Sequence, residues 1–365
     1  MIYLDNASTT KPHKEVVDLV TSMLRDDFWG NPNSSYEFSL KSRRLIEQAR
    51  ITIANKINCL PEEIIFTPSS SAANALAICG YMNKHDDCKN WITTNLEHSS
   101  ISNIEVKHKN KYIVNCNHVG FVEAEQFADY RNCLVSVVGA NSEIGTIQPI
   151  KEISKTLHRN GNIFHSDLTA YFPYLNVDVK DLGVDMCTLS SHKIHGLKNC
   201  GVLYVKKGVE LSPIVFGHGT LWGGTEDVYQ ICAMAKAVEM LNYDTYKDIE
   251  RKRNYFLDKL SRITAITLNG SLKNRLPNNV NFFIDNATID NQQLVAMCDL
   301  MGFAISAGTA CSSGSKEPSK TLLAIGLTPS EANKSVRVTI SADTTYEDID
   351  KFINVLEVIL TQFAC

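Results

Sequence analysis

The 365-residue sequence has no Cys-x-x-Cys pair, no internal repeat and no apolar run near the roughly 18 residues of a membrane span. The first absence argues against a structural zinc site, and no metal is expected. The last argues against a spanning helix. Neither sign of charge dominates: the formal net charge is −4 and the pI is near 6.2. Bulk attraction to nucleic acid or to an anionic membrane is therefore not expected. The opening MIYLDNASTT lacks a basic stretch followed by an apolar one, so no signal peptide is expected. The eleven cysteines are scattered and odd in number, which fits reduced thiols in a cytoplasmic protein. Cys59, Cys133, Cys187 and Cys298 sit in apolar runs and read as small core residues.

What is present is a composition for a sizeable core: 44% hydrophobic and 21% charged residues, over a length that suits two domains. Strand-like and helix-like segments alternate from about Glu37 to Val205. The strands are EEIIFT at 62–67, CLVSVVGA at 133–140, NIFHSD at 162–167, DMCTLS at 185–190 and GVLYV at 201–205. A helix is expected from Ser69 to Cys79, and another over 150–161, stopped by Gly161. This alternation predicts a mostly parallel sheet covered on both faces. After a helical stretch from about Glu226 to Leu260, strands at 279–284 and 335–341 and a final helix from Tyr346 predict a smaller α+β domain. The expected division is 15–250 for the large domain, with 1–14 and 251–365 in the small one. In open α/β sheets ligands gather at the carboxyl ends of the strands, so chemical residues should follow strands.

Several do. SSHKIHG at 190–196 follows a strand, and Lys193 there can form a Schiff base with an aldehyde; by itself it reads as a solvated charge, and only its partners make it a signal. Asp167 ends NIFHSD, where a carboxylate can pair with a protonated pyridine nitrogen or cap a helix. His98 can stack on a ring and move protons, or be structural. PSSSAAN at 68–74 leads from a strand into a helix, where small residues and the Ser71 hydroxyl suit a phosphate or ordinary capping. Arg337, inside the β-branched strand SVRVTIS, needs a partner: a substrate carboxylate or an internal acid. GTACSSGSKEPS at 308–319 reads as a mobile polar loop, and a cysteine there, Cys311, is placed to react. The glycines at 217–224 do not follow a first strand, so a nicotinamide site is not expected.

In this order YLDNASTT, GNPNSS, EEIIFTPSSSAAN, LEHSS, NSEIGTIQPI, HSDLTA, SSHKIHG, TACSSGSKEPS and SVRVTIS resemble the cysteine desulfurases of the NifS/IscS type, a branch of the class V aminotransferase group. The resemblance runs from Tyr3 to about Asp350. It implies the fold type I architecture of pyridoxal-phosphate enzymes, with a seven-stranded, mostly parallel sheet, and a homodimer. It also implies pyridoxal 5′-phosphate on Lys193, with Asp167 at the pyridine nitrogen and His98 stacked on the ring. Ser70, Ser71, Ser190 and His192 become phosphate binders, and Thr225 reaches the neighbouring subunit's phosphate. Arg337, Asn33 and Ser142 lie near the substrate L-cysteine. Cys311 takes its sulfur as a persulfide, L-alanine leaves, and a sulfur-acceptor protein is expected; iron–sulfur assembly, tRNA thiolation and DNA sulfur modification all remain open.

The sequence departs from that pattern at several places. The usual glutamine three residues after the aspartate is Ala170, and the usual second asparagine before Glu-Ile-Gly is Ser142. Ser69 to Ala72 stand where Gly-Ala-Thr-Glu is usual, and GHGTLWGGT at 217–225 is a shortened stretch with Trp222 in place of an arginine. A divergent, slower desulfurase is the expectation. The alternatives are a class V aminotransferase or lyase acting on another amino acid, or a weakly active scaffold.

Overall fold

A computed structural model describes residues 1–26, 28–217, 221–285, 288–308 and 317–363. Its strands in chain order are β1 (Ile2–Tyr3), β2 (Ile64–Thr67), β3 (Asn90–Thr94), β4 (Asn110–Val114), β5 (Leu134–Ser136) and β6 (Ile163–Asp167). Then come β7 (Met186–Ser190), β8 (Gly201–Val205), β9 (Ile266–Leu268), β10 (Asn279–Ile284), β11 (Phe303–Ala304) and β12 (Ser335–Thr339).

Seven of these strands form one sheet in the order β2-β8-β7-β6-β5-β3-β4. Within it β8 alone runs against the others: it is antiparallel to both β2 and β7, and the remaining pairings are parallel. The central strands are buried along their whole length, as β7 and β8 show, because helices cover both faces. On one side the helices Glu37–Ile57 and Val228–Glu239 bury Ile46, Ile53, Ile231 and Met234. The helix Ile150–His158 buries Ile150, Ile153 and Leu157, the spacing of three and four that the sequence showed.

A second, three-stranded antiparallel sheet has the order β12-β10-β9, and β1 pairs in parallel with β11 beside it. Phe256, Phe352 and Phe303 pack edge-on over it, with ring centroids 5.5–5.6 Å apart. The N-terminal segment joins the two regions. Leu4 lies in the second core, Asp5 bridges to Thr339, and Thr10 donates from its backbone to His192 O.

Local structure differs from expectation in three places. The helix expected over 69–79 starts as an α-helix at Ser70, widens to a π-turn over Leu76–Gly80 and resumes at Tyr81. Such a turn is common near functional sites. The stretch 226–260 is two helices, Val228–Glu239 and Tyr246–Leu260, parted by a turn that Asn242 caps. Cys59 is only partly buried, at the edge of the first core, while Cys133, Cys187 and Cys298 are buried as expected.

Candidate active site

The carboxyl ends of β2, β3, β5, β6 and β7 open on one cavity of about 610 Å³. Each of the loops that follow them contributes to its lining: Ser69–Ser71, His98, Asn141–Ser142, Asp167–Ala170 and His192–Lys193. The strand-end rule therefore holds for these residues. Two glycines let the loops close up. A Cβ on Gly201 would lie 2.4–2.6 Å from the backbone of Ser69 and Ser70. Gly145, at φ +76°, brings the turn after Ser142 against Asn279, which a Cβ would meet at 2.6 Å.

Lys193 leaves β7 through a single 3-10 turn. Its ammonium donates to Ala7 O at 2.5 Å and Ser8 O at 2.6 Å. The N-terminal segment thus supplies the carbonyls behind the lysine. Thr10 fixes that segment in return, its hydroxyl donating to His192 O and accepting from His195 N.

Asp167 is buried. Its Oδ1 accepts from Thr169 N at 3.0 Å, and its Oδ2 accepts from the Asn74 amide at 2.8 Å. The same amide donates to Ser100 Oγ at 2.9 Å, and Ser100 Oγ lies 2.8 Å from His98 Nδ1. Ser100 N also donates to that nitrogen, at 3.1 Å. Burial lowers the His98 pKa, and Lys193 lowers it further against the opposing pull of Asp167. Next to it Glu97 is buried with its carboxyl pushed up to about 8, mainly by desolvation.

At one end of the cavity Ser70, Ser71, Ser190 and His192 present hydroxyls and an imidazole. Ser69 caps the helix behind them by accepting from Ala72 N. Burial, Lys193 and Lys198 push the His192 pKa down to about 4, so its ring is neutral at neutral pH. Arg337, which also lines the cavity, is fully buried and donates to Asp5 Oδ1 at 2.8 Å and Ser142 O at 3.3 Å. The internal-acid alternative for Arg337 is thus realised, by a residue of the N-terminal segment. Its Nε has no partner among the described residues. Beside it Glu143 is buried, its pKa raised chiefly by desolvation. Glu143 Oε2 accepts from Ser319 Oγ at 2.7 Å, while Oε1 is likewise without a partner.

The cavity thus gathers Lys193, Asp167, His98, Ser70, Ser71, Ser190, His192, Ser142 and Arg337. Asn33 and Thr225 are exposed and do not line it. Cys311 lies outside the described residues. Ala170 lines the cavity near Lys193, in the place of the glutamine that the resemblance calls for. Sequence reasoning missed Asn74, Ser100, Asp5 and Glu143. None of these left a local signal to follow: Glu143, for one, sits in the polar turn NSEIGT at 141–146. The donor set fits the implied pyridoxal 5′-phosphate: an amine for the aldehyde, a buried carboxylate for the ring nitrogen, and neutral donors for the phosphate.

The family model for aminotransferase class-V matches residues 2–352. The curated cysteine desulfurase IscS of Dictyoglomus turgidum is 36% identical over 376 residues, covering 98% of this chain and 94% of its own. A solved NifS-like protein superposes with a TM-score of 0.91 at 25% identity, covering 99% of this chain and all of its own. SspA in complex with cysteine superposes with a TM-score of 0.82 at 29% identity, covering 94% of this chain and all of its own.

Proposed function

The chain belongs to the aminotransferase class-V family and is a cysteine desulfurase, and from that premise we propose that Lys193 carries pyridoxal 5′-phosphate and Cys311 receives the sulfur of L-cysteine. The observation that supports this most is the convergence of Lys193, Asp167, His98 and the serine–histidine donors on one cavity that also contains Arg337. When bound, the cofactor withdraws electrons from the substrate's α-carbon.

The chain's own residues do the rest. Asp167, its two oxygens held by Asn74 and Thr169, would face the ring nitrogen. Ser70, Ser71, Ser190 and neutral His192 donate to the phosphate. Arg337, already aligned by Asp5, turns its remaining donor capacity to the substrate carboxylate. Lys193 would hold the group and, as a free amine, would take the α-proton, the carbonyls of Ala7 and Ser8 holding its ammonium. The Cys311 thiolate attacks the substrate sulfur, the carbon–sulfur bond breaks, and Cβ takes a proton. One L-cysteine and one thiol thereby give one L-alanine and one persulfide.

We propose a homodimer in which Thr225, exposed in the single chain, reaches the neighbouring copy's phosphate site, with Asn33 near the substrate carboxylate. The persulfide then passes to an acceptor protein. Among the described residues no helix is long and apolar enough to cross a membrane. Alanine at 170 and serine at 142 support slow turnover, since each removes a long polar side chain from the cavity wall.

The test is borohydride reduction of the purified protein, followed by peptide mapping, with L-alanine and persulfide measured after addition of L-cysteine. Label on Lys193 and a persulfide on Cys311 are expected. An unlabelled Lys193 overturns the assignment.

A further inference from the structure

Arg337 lines the cavity, whereas Asp5, its ion-pair partner, does not. The N-terminal segment runs beside β12, the strand that carries Arg337. Thr339 N donates to Leu4 O at 2.7 Å, the Asn6 side-chain amide donates to Thr339 O at 2.8 Å, and Ala7 N donates to Thr339 Oγ1 at 2.9 Å. These bonds seat Asp5 without help from a ligand. Its Oδ1 accepts from Arg337 Nη2 at 2.8 Å, and Ser142 O accepts from Nη1 at 3.3 Å. A guanidinium has five hydrogens, so the one on Nε and one on each terminal nitrogen remain. A carboxylate that arrives through the cavity therefore shares the guanidinium with Asp5 and does not displace it. One positive charge then stands between two negative ones. Glu143 also acts on Arg337, from the turn at 141–146, but burial disfavours its charged form. Asp5 is thus the standing counter-charge of the arginine.

We propose that Asp5 sets the affinity of Arg337 for an amino-acid carboxylate, and that its charge holds this affinity down so that L-alanine, which bears the same carboxylate as the substrate, is released. The proposal rests on the reading of Arg337 as the substrate clamp. Two roles for Asp5 pull in opposite directions. Orienting the guanidinium would tighten binding, and neutralising it loosens binding. Arg337 is fully buried and Ser142 O holds it as well, so an uncharged acceptor at the same place would keep it oriented. The charge has no such substitute. Two carboxylates across one guanidinium stand about 6 Å apart, where their repulsion in a site poor in water outweighs a single neutral hydrogen bond. Neutralisation is therefore the larger effect.

The experiment is calorimetric titration of the holoenzyme with L-alanine and with L-alaninamide, which lacks the carboxylate. Asp5→Asn keeps an oxygen for Nη2 and removes only the charge. It should bind L-alanine about tenfold more tightly than the native protein, the partial exposure of Asp5 limiting the gain. L-alaninamide binding should not tighten, and KM for L-cysteine should fall by a factor similar to that for L-alanine. Unchanged or weaker L-alanine binding in Asp5→Asn overturns the proposal, and so does an equal tightening for L-alaninamide. Where that variant fails to fold, Asp5→Ser, which offers a hydroxyl as the acceptor, is held to the same outcomes. Arg337→Ala separates this result from the reading beneath it. Loosened L-alanine binding there, with no tightening in Asp5→Asn, leaves the clamp standing and removes the role of Asp5. A native protein that binds no L-alanine, or an Arg337→Ala variant that binds it as tightly, overturns the clamp and the role of Asp5 together.

Discussion

The pair Lys193 and Asp167 differs from the pair Arg337 and Glu143 in how completely its charged atoms are partnered. Lys193 and Asp167 are held on every charged atom, although the neutral Thr169 Oγ1 and Asn74 Oδ1 beside them have no partner among the described residues. The lysine has two carbonyls, and the aspartate has two donors. On the side of Arg337 and Glu143 two buried polar atoms, Arg337 Nε and Glu143 Oε1, have no partner among the described residues. Buried polar atoms are rarely left so, and the exceptions call for a reason. The first side is built to keep one group in one place through many turnovers. The second is built to receive a group that comes and goes. A resident cofactor and a transient amino acid have these two requirements.

The hardest test of the partnered side is Lys193→Ala. No L-alanine should form, and the visible absorbance of a lysine-bound cofactor should be gone, because no other amine is held by Ala7 and Ser8. A variant that retains both would erase the contrast. The open side is tested by Arg337→Ala, which should raise KM for L-cysteine about a hundredfold while leaving the cofactor spectrum unchanged. A change in cofactor binding instead would mean that the two sides are one unit.

Acid should loosen the partnered side. His192 and the buried His165 both have pKa values pushed down to about 4, and unfolding returns them to about 6.5. Between those values the unfolded chain binds more protons than the folded one. Their contribution to stability is therefore full above about pH 6.5 and falls as the pH drops toward 4, while Glu97, raised to about 8, contributes in the opposite sense. Denaturant midpoints of the native protein and of His165→Gln, compared from pH 7.5 down to 4.5, should show the native protein losing more stability with acid than the variant. The smallest effect is expected from Ala170→Gln. A regained hydrogen bond of about 0.5–1.5 kcal/mol would tighten the cofactor by at most about tenfold, as read by spectral titration. No tightening would mean that the smaller residue is already compensated.

Much of this arrangement was legible in the sequence. Strands that end in Asp167 or lead into Lys193 announce themselves because their periodicity and their chemistry lie within a few residues. The reversed strand β8 and the π-turn after Ala75 were not legible, since neither changes the local apolar pattern. Nor were the partners. Asn74 and Asp167 are 93 positions apart, and Asp5 and Arg337 are 332 apart. Only the folded sheet decides which small polar residue stands beside a charged one. Arg337 shows the limit well. Its place in a β-branched strand said that it must be paired, and could not say whether the acid was its own or the substrate's.

The backstop of Lys193 has a consequence for how the protein folds. The segment that carries Ala7 and Ser8 is seated in part by Phe303–Ala304 and Thr339, far later in the chain. A chain that stopped before residue 303 would contain every strand of the large sheet, yet the hydrogen bonds left to that segment would be those to the turn at 192–195, Thr10 and His13 to His192 and His195 among them. The backing of Lys193 is therefore a product of long-range closure, complete only when segments more than 300 positions apart have met.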